Sequence, residues 1–256
     1  MGKIFDAKQI FTLIPQIIEY LPVTLELTAV AMAIGIVFGL LIAIIRVNKV
    51  PVLSQLAAVF VSLIRGTPVI VQLYVTYFGI PIALRCINMA YGTNYNVNGI
   101  PNIVFAFIAL GFNQSAFTSE TFRAAIGSVE KGQIEAVKSL GMSGGQVLRR
   151  VIFPQAFSVA LLPLGNSIIS LIKGTSLAFS CAVVEMTAGG KILVGRSARY
   201  FEMYLALAII YWVLTIIIEQ VVKLIERKIS IPDEAPEIGA NGKLLRRRVK
   251  LKEVRQ

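Results

Sequence analysis

Residues 27–45 run nineteen positions without a charge before Arg46 and Lys49, long enough as a helix to cross the ~30 Å hydrocarbon core of a bilayer. Apolar runs of similar length recur down the chain. Hydrocarbon offers a bare backbone no hydrogen-bond partner, so such runs must satisfy their own N–H and C=O groups as helices. With 56% hydrophobic and 15% charged residues there is too little polar surface to cover a soluble domain. The excess of 25 Lys+Arg over 14 Asp+Glu, +11 in all, is therefore placed against the bilayer rather than against nucleic acid. Two cysteines, Cys86 and Cys181, and no histidine leave no thiolate or imidazole cluster for zinc and no His-dependent triad. The N-terminal stretch lacks the pattern of a cleavable signal.

Residues 6–20 place apolar side chains at helical spacing among polar ones and predict an interfacial amphipathic helix that Pro15 could kink. The first span follows at 27–45, where Gly35 and Gly39 form a small-residue surface read as internal packing. Residues 52–84 hold one charge, Arg65, yet as a single helix would extend about 50 Å. The segment must break, and Arg65-Gly66-Thr67-Pro68 supplies the break. This predicts an interfacial helix to residue 64, a second span over 67–84 and an outer turn over 85–99. Residues 100–125 return with Asn113, Gln114, Ser115, Thr118, Ser119 and Glu120, a polar set that must face the protein or a water-filled cavity. A fourth span covers 156–172. Residues 177–190 are too short to cross and read as re-entrant or interfacial, and 200–222 form the last span. Basic residues gather on one side of this five-span plan, which puts the N-terminus outside and the C-terminus inside. Residues 229–256 read as a basic, disordered cytoplasmic tail that could touch anionic lipid.

The longest polar interruption on the proposed inner side is residues 135–154, EAVKSLGMSGGQVLRRVIFP. It predicts a short helix to Leu140, a break at Gly141 and Ser143-Gly144-Gly145, and a second helix that Pro154 closes. The chain contains no Gly-x4-Gly-Lys-Ser/Thr phosphate loop, so any ATP is bound, with its magnesium, by another polypeptide.

Three stretches carry a more specific likeness: RGTPVIVQL from Arg65, AFTSETFRAAIGSVEKGQIEAVKSLGMS from Ala116, and VIFPQAF followed by LLPLGNSIISLIKGTSLAF. Over roughly residues 10–228 the chain resembles the membrane permeases of polar-amino-acid ABC importers, and 135–154 resembles their EAA loop. Val137 stands where that motif usually has its second alanine, and Gly174 where the family often has Asp. The resemblance implies a type I importer permease fold, all-α and integral to the membrane, with five transmembrane helices plus the N-terminal interfacial helix. Residues 1–228 would form the permease domain, with a cytoplasmic coupling loop at 127–155. It also implies a second permease, the same or a related chain, two ATPase subunits that hydrolyse ATP, and an extracytoplasmic amino-acid-binding protein. The setting implied is the bacterial inner membrane. Glu135, Ala136, Gly141 and Pro154 would then couple to the ATPase. By likeness of residues 173–192 to cystine-type permeases the substrate is cystine, with arginine, glutamine and histidine types open.

A zwitterion needs buried partners for both its charges. Thr67, Gln72, Asn113, Ser115, Ser119, Glu120, Asn166 and Ser170 are the candidates. Glu120 has a competing structural reading as the partner of Arg65 or Arg123. Arg65, Pro68, Arg123 and Lys173 are read as structural or gating residues. An ion-gradient-driven secondary amino-acid transporter is the alternative, though no internal repeat is visible and Glu120 is the only acidic candidate well inside a span.

Overall fold

The uncharged run at 27–45 forms the body of one long helix, α2 (Leu21–Val47), in a computed structural model that describes residues 5–229. Ahead of it lies α1 (Ala7–Ile18), whose N-terminus is capped by Asp6 and within which Pro15 sits without ending the helix. After it come α3 (Leu53–Gly66) and α4 (Val69–Tyr91), separated at Thr67-Pro68 as the sequence predicts. Then follow α5 (Asn102–Gly127), α6 (Lys131–Ser139), α7 (Gly144–Val147) and α8 (Phe153–Gly174). A 3-10 segment (Thr175–Cys181) leads to α9 (Met186–Val194), and α10 (Tyr200–Ile229) completes the described chain. Four helical stretches among the described residues have the length and hydropathy to cross a bilayer: Leu21–Val47, Val69–Tyr91, Gly144–Cys181 and Tyr200–Lys228. The remaining crossing of the five-span plan, α5, matches them in length and carries the polar set. It is packed among α2, α4 and α8 rather than turned outward. The basic tail expected from residue 229 onward lies outside the described residues apart from its first position.

The centre of the fold is the α2–α5 seam. Gly35 and Gly39 let the two helices approach: a Cβ on Gly39 would lie 3.0 Å from the Ser119 backbone nitrogen. The Thr118 hydroxyl uses that closeness to donate across the seam to the Gly35 carbonyl at 2.6 Å. Leu27, Ala31, Leu73, Leu110, Ala160 and Leu164 close the apolar core around it. A second apolar cluster joins α1, α9 and α10 through Ile17, Met186 and Met203. It holds α9 against the start of α10.

Two expectations about helix ends need correction. The second span does not stop at residue 84. It continues to Tyr91 with Pro81 inside, and ends where Gly92 takes a left-handed φ of 63°. The Asn88 side chain then ties down the turn, donating to the Tyr95 carbonyl and accepting from the Tyr95 N–H. Nor does Pro154 close a helix. α7 passes through a single π turn (Leu148–Ile152) directly into α8, with Pro154 in the first turn of α8. The wider turn shifts the hydrogen-bond register just where proline lacks a donor. One continuous rod therefore runs from the loop into the core.

Candidate functional site

The break between α3 and α4 is locked by its own polar residues. Thr67 is extended (φ −116°, ψ 143°), and the Gln72 amide reaches back to donate to the Thr67 hydroxyl and the Ile64 carbonyl, both at 2.8 Å. The other end of that amide accepts from Asn113 Nδ2 at 3.0 Å. A polar chain of Thr67, Gln72 and Asn113 thus links the kink to the middle of α5.

Beside it opens a concavity of about 420 Å³ between α4, α5 and α8. Its polar wall is made of Thr67, Asn113, Gln114, Asn166, Ser167 and Ser170, its apolar wall of Val69, Leu110, Phe117 and Leu171. Of the predicted pocket residues the structure brings Thr67, Asn113, Asn166 and Ser170 together here, with Gln72 one hydrogen bond away. Ser115 and Ser119 are not brought to it. Both are fully buried, and their hydroxyls donate to the Phe112 and Ala116 carbonyls of their own helix. Gln114 and Ser167 join the wall in their stead. The α2 seam covers Thr118 and Ser119 at Gly39, while Gln114 borders both α2, at Gly35, and the concavity.

Glu120 lies away from this concavity and is paired. Its Oε1 accepts from Arg46, and its Oε2 accepts from Arg123 Nη2 at 2.7 Å and Nε at 2.9 Å. Arg65, the other partner weighed from sequence, is not bonded to it. Its guanidinium instead sits 5.6 Å from the centre of the Phe117 ring. Arg46, Arg65, Glu120 and Phe117 together border a second cleft of about 480 Å³. Phe117 lines both that cleft and the neutral concavity. Lys173 is exposed in the last turn of α8, and Pro68 begins α4.

The loop between α5 and α8 presents α6, a helix without a buried residue. Glu135 and Ala136 lie exposed on it, and Leu140, just past its end, is 83% exposed. Gly141 then turns the chain with φ 84°, a conformation that penalises any side chain. Ser143 starts α7 with a reciprocal capping box to Gln146. Gln155 in α8 donates to the Gln133 side chain of α6 at 2.8 Å, so the exposed helix is tied to the rod that carries Asn166, Ser167 and Ser170.

Two buried carboxylates escaped sequence reasoning, Glu185 and Glu202, the latter accepting from the Asp6 N–H at 3.2 Å and paired with Arg199. Glu185, fully buried, caps α9 by accepting from the Thr187 and Ala188 N–H groups at 2.9 Å each, with Tyr211 Oη 3.5 Å away. A lone acid just ahead of a short apolar helix is the signal that could have revealed it.

Residues 35–231 match the family of binding-protein-dependent transport system inner membrane components. The chain belongs to this family. The permease is 42% identical over 218 residues to the probable amino-acid permease protein YxeN of Bacillus subtilis (strain 168), covering 85% of this chain and 93% of that one. To the L-cystine transport system permease protein TcyL of the same organism it is 37% identical over 230 residues, covering 90% and 94%. Among solved structures it superposes on an amino acid ABC transporter with histidines at a TM-score of 0.74 and 34% identity, covering 88% of this chain and all of that one. The permease is thus the membrane subunit of an amino-acid ABC importer, with the all-helical type I fold. It is a transport subunit rather than an enzyme, and the ATPase is a separate chain. The ion-gradient alternative is set aside by the family assignment.

Proposed function

We propose that the permease carries a polar amino acid, cystine, through the concavity between α4, α5 and α8, driven by an ATPase that grips α6. The observation that carries this is mechanical. α6 exposes an apolar tip at Leu140, and Gln133–Gln155 ties it to α8, whose other end walls the concavity. A shift imposed on α6 is transmitted along a rigid rod to the solute. Glu135 and Ala136 form the contact surface, Gly141 permits the reversal, and Pro154 sits where the π turn feeds into α8. The α6 end faces the cytosol, so the N-terminus lies outside and the C-terminus inside. MgATP sits on the ATPase. A second permease chain completes the translocation path, and an extracytoplasmic binding protein delivers the solute. The likeness to TcyL supports cystine. Uptake of labelled cystine into proteoliposomes holding permease, ATPase and binding protein tests this. It is expected only with ATP and the ATPase present. Uptake without the ATPase refutes the coupling, and uptake of a different amino acid alone refutes the choice of cystine.

A further inference from the structure

The concavity is lined entirely by uncharged side chains. The second cleft, which shares Phe117 with it, holds Arg46, Arg65 and a Glu120 carboxylate bound by Arg46 and Arg123, and Lys173 is exposed beside the lining Gly174. A solute in this chamber meets dipoles but no counter-ion. Amide and hydroxyl dipoles can solvate the opposed charges of a zwitterion, or of both zwitterionic ends of cystine, whereas a net charge would enter without a counter-ion.

Within that neutral wall one group is unsatisfied. Gln114 is 5% exposed, and its Nε2 has no hydrogen-bond partner. Its stem is held against α2, since a Cβ on Gly35 would lie 2.9 Å from the Gln114 Cβ. Neighbouring Asn113 has already given its amide to Gln72. A buried donor without an acceptor is costly, and an occupant supplying a carboxylate or carbonyl oxygen removes that cost.

Resting on the reading of this chamber as the solute's route, we propose that it selects amino acids of zero net charge, the double zwitterion cystine included, over cationic ones. Gln114 is a specificity-determining residue whose amide, turning toward the chamber, gives its N–H to an acceptor oxygen of the solute.

The test is equilibrium binding of labelled cystine, glutamine, arginine and lysine to the assembled permease–ATPase complex in lipid nanodiscs, without the binding protein. Cystine or glutamine is expected to bind about tenfold or more tighter than either cation, and Gln114→Leu to weaken that binding about tenfold. Gln114→Glu, which installs a counter-ion, is expected to reverse the order and favour arginine. Equal or tighter arginine binding in the unaltered chain overturns the proposal, as does a Gln114→Glu variant with the original ranking. If no amino acid binds at all, the chamber itself is wrongly assigned. Binding without discrimination instead leaves the chamber standing and sinks only the charge rule.

Discussion

Replacing Glu120 by Gln should destabilise the permease through Arg46 rather than Arg65. The Arg46 and Glu120 side chains are 20% and 21% exposed, while Arg123 is 47% exposed. A hydrogen bond to a charged group contributes about 1.5–3 kcal/mol, and a half-exposed ion pair about 0–1 kcal/mol. The amide retains an acceptor oxygen, which offsets part of the loss. The expected cost is about 2 kcal/mol, arising mainly where the Arg46 guanidinium is left without its counter-ion. Reversible unfolding in mixed micelles, run as double-mutant cycles, apportions it. Coupling of Glu120 to Arg46 should reach about 1–2 kcal/mol and to Arg123 less than about 1 kcal/mol, with coupling to Arg65 near zero. An Arg65 coupling equal to that of Arg46 would refute the arrangement.

At the α2–α5 seam, Gly39→Ala should lower stability by about 1–3 kcal/mol, because the helices must part and the Thr118–Gly35 hydrogen bond stretches. A thiol dye that reports unfolding through buried Cys181 reads the shift. Gly66→Ala, where an added Cβ meets nothing within 4 Å, should barely move it. Glu135→Lys or Gly141→Asp should leave the permease in the membrane and abolish ATP-driven uptake, and full uptake at normal expression contradicts the coupling role. Exposed Cys86, near the end of α4, should react with an impermeant maleimide on intact cells while Cys181 does not. Labelling only after permeabilisation would invert the orientation.

The helices were legible because long uncharged runs have few other fates, and the α3–α4 kink because Gly66-Thr67-Pro68 interrupts a run too long to cross once. Asn113, Asn166 and Ser170 were readable as wall residues because polar groups inside a span need a reason. What stayed hidden depends on which face of α5 meets which neighbour. Helical spacing puts Ser115 and Ser119 on one stripe, yet only the approach of Gly39 to Thr118 and Ser119 shows that α2 covers the latter. The Arg46–Glu120 pair joins residues 74 positions apart, a separation for which local pattern gives no signal. The π turn was equally invisible, since proline after a glycine cluster normally signals an end.

The central claim is that α6 receives motion from the ATPase. A photoreactive amino acid at Leu140, 83% exposed at the tip of α6, tests it against one at Tyr91, 79% exposed at the end of α4. In the assembled importer Leu140 should cross-link to the ATPase and Tyr91 should not. Cross-linking of Leu140 to the extracytoplasmic binding protein, or of Tyr91 alone to the ATPase, would contradict the account.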